Sequence, residues 1–163
     1  MPRITLALAA MLSFVVLTPL AAQDFQKGLA AVQAGDFATA LQEWTPLAEA
    51  GDANAQRNLG VMYNDGLGVP QDSVEAVKWY RLAAEQANIK AQVSLGIMYE
   101  YGEGVLQDNV MVHMWHNIAS ANGHSKAGEW RDERAGLMTN ADISKAQAMA
   151  RECMSSGYKN CGY

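Results

Sequence analysis

The chain has 163 residues, of which 50% are hydrophobic and 18% charged, and its formal net charge is −5. That balance, with charges scattered and no basic stripe, argues against nucleic acid or an anionic membrane as partner, because both are bound by displacing counterions with lysine and arginine. No serine- or proline-rich linker or low-complexity tract divides the chain, so beyond a leader it reads as a single domain.

The leader comes first. Met1-Pro2-Arg3 carries one positive charge, Ile4 to Leu20 carries none, and Leu20-Ala21-Ala22 ends in small residues, the pattern of a secretory signal peptide over residues 1–22 cleaved after Ala22. An uncleaved anchor is the rival reading. The stretch sits at the short edge of what spans a bilayer, and Pro19 interrupts its end. Loss of Arg3 with the leader takes the net charge to −6, and no second apolar run follows, so no stable membrane insertion is expected after cleavage. The mature chain is expected in the periplasm or secreted.

From residue 23 onward Ala, Leu, Met, Gln and Glu dominate, β-branched residues are sparse, and apolar positions recur at three and four, which predicts helix nearly throughout. A shift of 36 residues lays the chain on itself. Ala55-Gln56, Leu59-Gly60, Met62-Tyr63, Gly66, Gly68-Val69, Gln71-Asp72 and Trp79 meet Ala91-Gln92, Leu95-Gly96, Met98-Tyr99, Gly102, Gly104-Val105, Gln107-Asp108 and Trp115. A period of this size marks stacked helical hairpins, each unable to bury its apolar face alone. Gly66 and Gly102 suit a left-handed helix end, and Asp72 or Ser73, then Asp108 or Asn109, can cap the helix that follows. Gly60 and Gly96 fall inside helices, where glycine costs about 1 kcal/mol relative to alanine, so both copies point to a close approach of the partner helix.

These words, together with Ala76-Val77-Lys78-Trp79-Tyr80-Arg81 and Ala83-Ala84-Glu85-Gln86, resemble the Sel-1-like repeats, relatives of the tetratricopeptide class. The resemblance implies an all-α fold, a right-handed α-α superhelix of about four hairpin units. In chain order these are a partial leading unit at 24–51, full repeats at 52–87 and 88–123, and a capping unit at 124–163. In the leading unit Phe25 to Gln33 forms a short helix, and Ala40, Leu41, Trp44, Leu47 and Ala48 follow the motif's second half. In the last unit the shift puts Arg131, Asp132 and Ala135 where Leu95, Gly96 and Tyr99 stood, so Lys126 to Leu137 has lost its packing residues. Arg131-Asp132-Glu133-Arg134 reads as a solvated helix face, and Thr139-Asn140-Ala141-Asp142 as a capping box opening the final helix.

Most candidate chemistry yields to the repeat register. His113 and His116 stand at i, i+3 and could share a metal with Glu100 or His124, but they align with Val77 and Tyr80, so a packing role is preferred and no metal or cofactor is assigned. Gly66-x-Gly68 and Gly102-x-Gly104 follow helices and lack a third glycine, so they read as turns and not phosphate cradles. Ser156-Gly157-Tyr158-Lys159 spells Ser-x-x-Lys without the partner motifs of penicillin-recognising enzymes. Trp44, Trp79, Trp115 and Trp130 read as core or unit seam, and the methionines as gap-filling core. Cys153 and Cys161 are expected to form a disulfide, since a signal peptide would send them to an oxidising compartment.

What remains is an exported, non-enzymatic, monomeric scaffold that binds a protein or peptide of unknown identity. By similarity with tetratricopeptide grooves, Asn54, Arg57, Val61, Asn64, Lys90, Val93, Ile97 and Glu100 would face the partner. The alternatives are a small secreted hydrolase or β-lactam-binding protein, and a secreted factor acting on another cell.

Overall fold

Short polar side chains start nearly every helix. Asp24, Asp36, Asp52, Asp72, Asn88, Asp108 and Thr139 each accept a hydrogen bond from a backbone N–H of the first turn, satisfying donors that a helix leaves unpaired. The computed structural model describes residues 24–162, so the leader at 1–22 lies outside the described residues. Between those caps run α1 (Phe25–Gln33), α2 (Phe37–Glu49), α3 (Ala53–Asp65), α4 (Ser73–Ala84), α5 (Ile89–Tyr101), α6 (Asn109–Ala121), α7 (Ala127–Ala135) and α8 (Asn140–Ser155). Asp72 and Asp108, rather than Ser73 and Asn109, are the caps of α4 and α6, and the Thr139–Asp142 capping box forms as the sequence suggests. Only α7 opens without a side-chain cap.

The helices pack as sequential hairpins, α1 with α2, α3 with α4 and α5 with α6, and each hairpin stacks on the next through α2·α3, α4·α5 and α6·α7. Gly66 and Gly102 end α3 and α5 with φ of 68° and 70°, the left-handed conformation that costs glycine least. The side-chain amides of Gln71 and Gln107 then donate to the carbonyls of Asn64 and Glu100, each at 2.7 Å, closing the two turns identically. The second glycine of each turn serves the stack. A Cβ at Gly68 would stand 2.9 Å from that of Phe37, and one at Gly104 would strike the backbone of Ser73, so each loop rests on the first residue of the preceding unit's second helix.

Buried amides join successive units. The Gln56 Nε2 donates to the Ala48 carbonyl at the end of α2, and its oxygen accepts from Gln86. Thirty-six residues on, Gln92 donates to Ala84 and accepts from Asn122. Each glutamine thus ties the helix before it to the turn after it. This gives a physical reason for the Ala-Gln pair at the head of each repeat.

The fourth unit departs from the other three. Helix α8 packs chiefly on α6, and Ala146, Ala150 and Cys153 enter the core formed by α4, α5 and α6. Helix α7 buries only Ala127, because arginine and aspartate stand where the repeat has leucine and glycine. With so little apolar surface on α7, α8 gains more by covering α6 directly. A second core, built from Ala31, Ala40, Trp44, Ala48, Ala55, Leu59 and Met62, fills the N-terminal half.

Candidate functional site

A glycine on each hairpin's first helix receives an aromatic ring from the second. A Cβ at Gly60 would stand 2.5 Å from Tyr80, one at Gly96 would stand 2.6 Å from His116, and one at Gly28 would collide with the Trp44 indole. The close approach expected for Gly60 and Gly96 is thus an approach of a ring, and Gly28 adds a third pair that the 36-residue shift does not reach. In the third hairpin that ring is an imidazole. His116 is only 3% exposed, and neither ring nitrogen has a hydrogen-bond partner among the described residues. Burial, and after it the nearby charges of Arg134, His124 and His113, pull its pKa down to about 4, so the ring is neutral at pH 7.

Helix α7 lies over this imidazole. Trp130 neighbours both His116 and His124, with ring centroids 5.6 and 5.2 Å away. Arg134 forms an ion pair with Glu100 of α5 and donates to Asn109 Oδ1 at 3.2 Å, while Arg131 donates to Asn117 Oδ1 at 3.2 Å. The Arg131–Arg134 cluster is therefore more than a solvated face. Its two arginines strap α7 to the preceding hairpin, while Asp132 and Glu133 remain exposed. Between α5 and α7 a cleft of about 420 Å³ remains, with His116 and Trp130 inside it and Ile97 and Glu100 on the α5 side. Glu133 and Arg134 form the α7 side, and Tyr101 and Leu137, 68% and 73% exposed, stand at the rim.

Of the eight groove residues expected from the sequence, Ile97 and Glu100 line this cleft. The other six lie elsewhere. Asn54 accepts from Asn88 across the unit boundary, Arg57 is half-buried and donates to Asn58, and Val61 packs against the C-terminal core. Asn64 donates to Asp65, Val93 is half-buried and Lys90 is exposed. Reasoning from the two full repeats missed Tyr101, His116, Trp130, Glu133, Arg134 and Leu137. The signal was available for one of them: carrying the column Val61, Ile97 forward by 36 residues lands on Glu133. Trp130, read as core or a partly covered seam, is half-buried and lines the cleft.

The remaining candidates have local duties. The Ser156 hydroxyl donates to the Cys153 carbonyl and accepts from the backbone of Lys159 and Asn160, which closes the end of α8. Cys153 and Cys161 form a disulfide with Cα atoms 4.5 Å apart, and the loop it closes holds Tyr158 where its hydroxyl donates to Asn122. His113 is buried, and burial with the Arg131 charge lowers its pKa. Among the described residues no group of three or more His, Cys, Asp or Glu is placed to hold a metal ion, and no helix is long and apolar enough to cross a membrane.

The Sel1 repeat family matches residues 53–88 and 89–124, the two stretches that form α3–α4 and α5–α6 with their turns. A protective antigen present in uropathogenic Escherichia coli strains, which displays an SLR fold, superposes with a TM-score of 0.75 at 29% identity, over 80% of this chain and 30% of that one. A Sel1 repeat protein from Oxalobacter formigenes superposes with a TM-score of 0.63 at 24% identity, over 85% of this chain and 63% of that one, a likeness of fold. The chain thus spans less than two thirds of either relative. No curated protein matches it in sequence. The repeat that the 36-residue shift exposes is the Sel1 repeat, and over residues 53–124 the chain is a Sel1 repeat protein.

Proposed function

We propose that the protein is an exported, non-enzymatic scaffold that holds a segment of a partner protein against the first helices of its hairpins. The observation that carries this reading is the cleft between α5 and α7, where Ile97 and Glu100 meet an indole and a buried imidazole from neighbouring helices. Pockets of a few hundred cubic ångströms with apolar walls and a few polar groups are the usual seats of ligands. Asn54, Arg57, Val61, Asn64, Lys90 and Val93 would extend the contact along α3 and α5. The Cys153–Cys161 disulfide supports export, since such bonds persist in oxidising compartments.

Site-specific photocrosslinking in the native cell tests the reading. A crosslinker at position 97 should capture a protein partner, and one at the exposed Arg151 of α8 should not. Equal capture from both positions, or none from position 97, would count against the cleft. A partner retained in full after Arg57→Glu and Lys90→Glu would remove those two residues from the surface. Turnover of nitrocefin by the purified mature protein would replace the scaffold reading with a hydrolase.

A further inference from the structure

We infer that the cleft between α5 and α7 takes the side chain of a lysine or arginine from the partner, a proposal that rests on the scaffold reading and specifies its ligand. The charges decide the sign. Glu100 and Arg134 neutralise each other in an ion pair, and Arg134 is further held by Asn109, so the cation already in the cleft is occupied. Glu133, exposed on α7, has no ion-pair partner among the described residues, which leaves the cleft with one uncompensated negative charge. The whole chain is acidic as well, at −5. An anionic ligand would meet two carboxylates and an arginine that is already engaged.

The other groups suit an aliphatic cation. Ile97, Leu137 and the Tyr101 ring offer apolar walls to a methylene stem, and such stems bury readily while the charged head stays polar. Trp130 offers an indole, the strongest of the aromatic partners for an ammonium or guanidinium. The independent sign of a ligand is His116, a polar side chain 97% buried that lines the cleft with neither nitrogen partnered. A neutral imidazole carries one lone pair. Ammonium and guanidinium groups are donors only, so either complements that lone pair and the Glu133 carboxylate together.

The test titrates the full mature protein with pentalysine and with pentaglutamate, following the four tryptophan indole N–H signals by NMR, with Trp130 assigned through Trp130→Phe. Pentalysine should shift the Trp130 signal and pentaglutamate should not. Glu133→Gln, an exposed substitution, should weaken pentalysine binding about fivefold, the equivalent of about 1 kcal/mol for an ion pair at a cleft rim. Glu49→Gln, on the exposed end of α2, should leave binding within about twofold. Equal loss from both variants would reduce the effect to general attraction toward an acidic protein and overturn the proposal, as would a Trp130 response to pentaglutamate. Crosslinking from position 97 that persists while Glu133→Gln binds pentalysine unchanged would leave the scaffold standing and overturn the cation assignment alone.

Discussion

The Tyr80 ring packs against the one position of α3 that has no side chain, Gly60, and a Cβ there would stand 2.5 Å from two of its ring carbons. Gly60→Leu should therefore force the hairpin apart and destabilise the fold by more than about 2 kcal/mol, an overpacking cost at the upper part of the usual range. For a domain of this size that is a fall of about 6 °C or more in melting temperature. A thermal melt unchanged by the substitution would refute the ring-on-glycine contact.

The paired glutamines give a second expectation. Gln92 is fully buried, and its amide both donates to Ala84 and accepts from Asn122. Gln92→Leu would leave the half-buried Asn122 amide without its acceptor and should cost about 1 kcal/mol in urea unfolding, the lower end of the penalty for stranding a polar group. In a cycle with Asn122→Ala, which also removes the acceptor of the Tyr158 hydroxyl, the double variant should lose less than the two single losses added, since the donor stranded by Gln92→Leu is then gone. Additive losses would mean that the two side chains do not act as a pair.

At the C-terminus the disulfide closes a short loop, so on the chain-entropy estimate Cys153→Ala with Cys161→Ala should destabilise by about 2.6 kcal/mol. The Tyr158 hydrogen bond to Asn122 depends on that loop. Amide exchange should accordingly quicken at the end of α6 as well as in α8 after reduction. Unchanged protection at the end of α6 would mean that the disulfide loop does not support the stack.

Much of this was legible because two adjacent copies constrain each other. Gly60 and Gly96, the turn glycines and the burial of His116 all follow from one register, which also narrowed the caps to Asp72 or Ser73 and Asp108 or Asn109 without choosing between them. The cleft was legible only in part: α5 belongs to a full repeat and yielded Ile97 and Glu100 but not Tyr101, whereas α7 has lost the motif. Trp130, Arg134 and Leu137 occupy positions with no informative counterpart, as the residues 36 earlier are Ser94, Met98 and Tyr101. Nor does a local pattern reveal that arginines in a mixed-charge run reach across to Glu100 and Asn117, because that reach depends on how the hairpins stack. The placement of α8 on α6 was hidden likewise, being set by what α7 fails to cover.

The histidine beneath α7 makes stability depend on pH in a definite direction. His116 has a pKa of about 4 in the fold, through burial first and then the charges of Arg134, His124 and His113, against the ordinary value of 6.5 in the unfolded chain. The unfolded state thus binds more protons between pH 6.5 and 4, so the stabilisation is complete above that window and is lost as pH falls through it. Burial and the Arg131 charge push His113 the same way, so it adds to the slope, whereas carboxylates elsewhere titrate alike in any variant at position 116. His116→Tyr introduces the ring that Gly60 already accommodates one repeat earlier, and removes the titrating group. Between pH 7 and pH 4.5 the wild type should therefore lose more melting temperature than His116→Tyr, so that the gap between the two curves changes across the interval. Parallel curves across that interval would place the imidazole in water and remove the floor of the cleft.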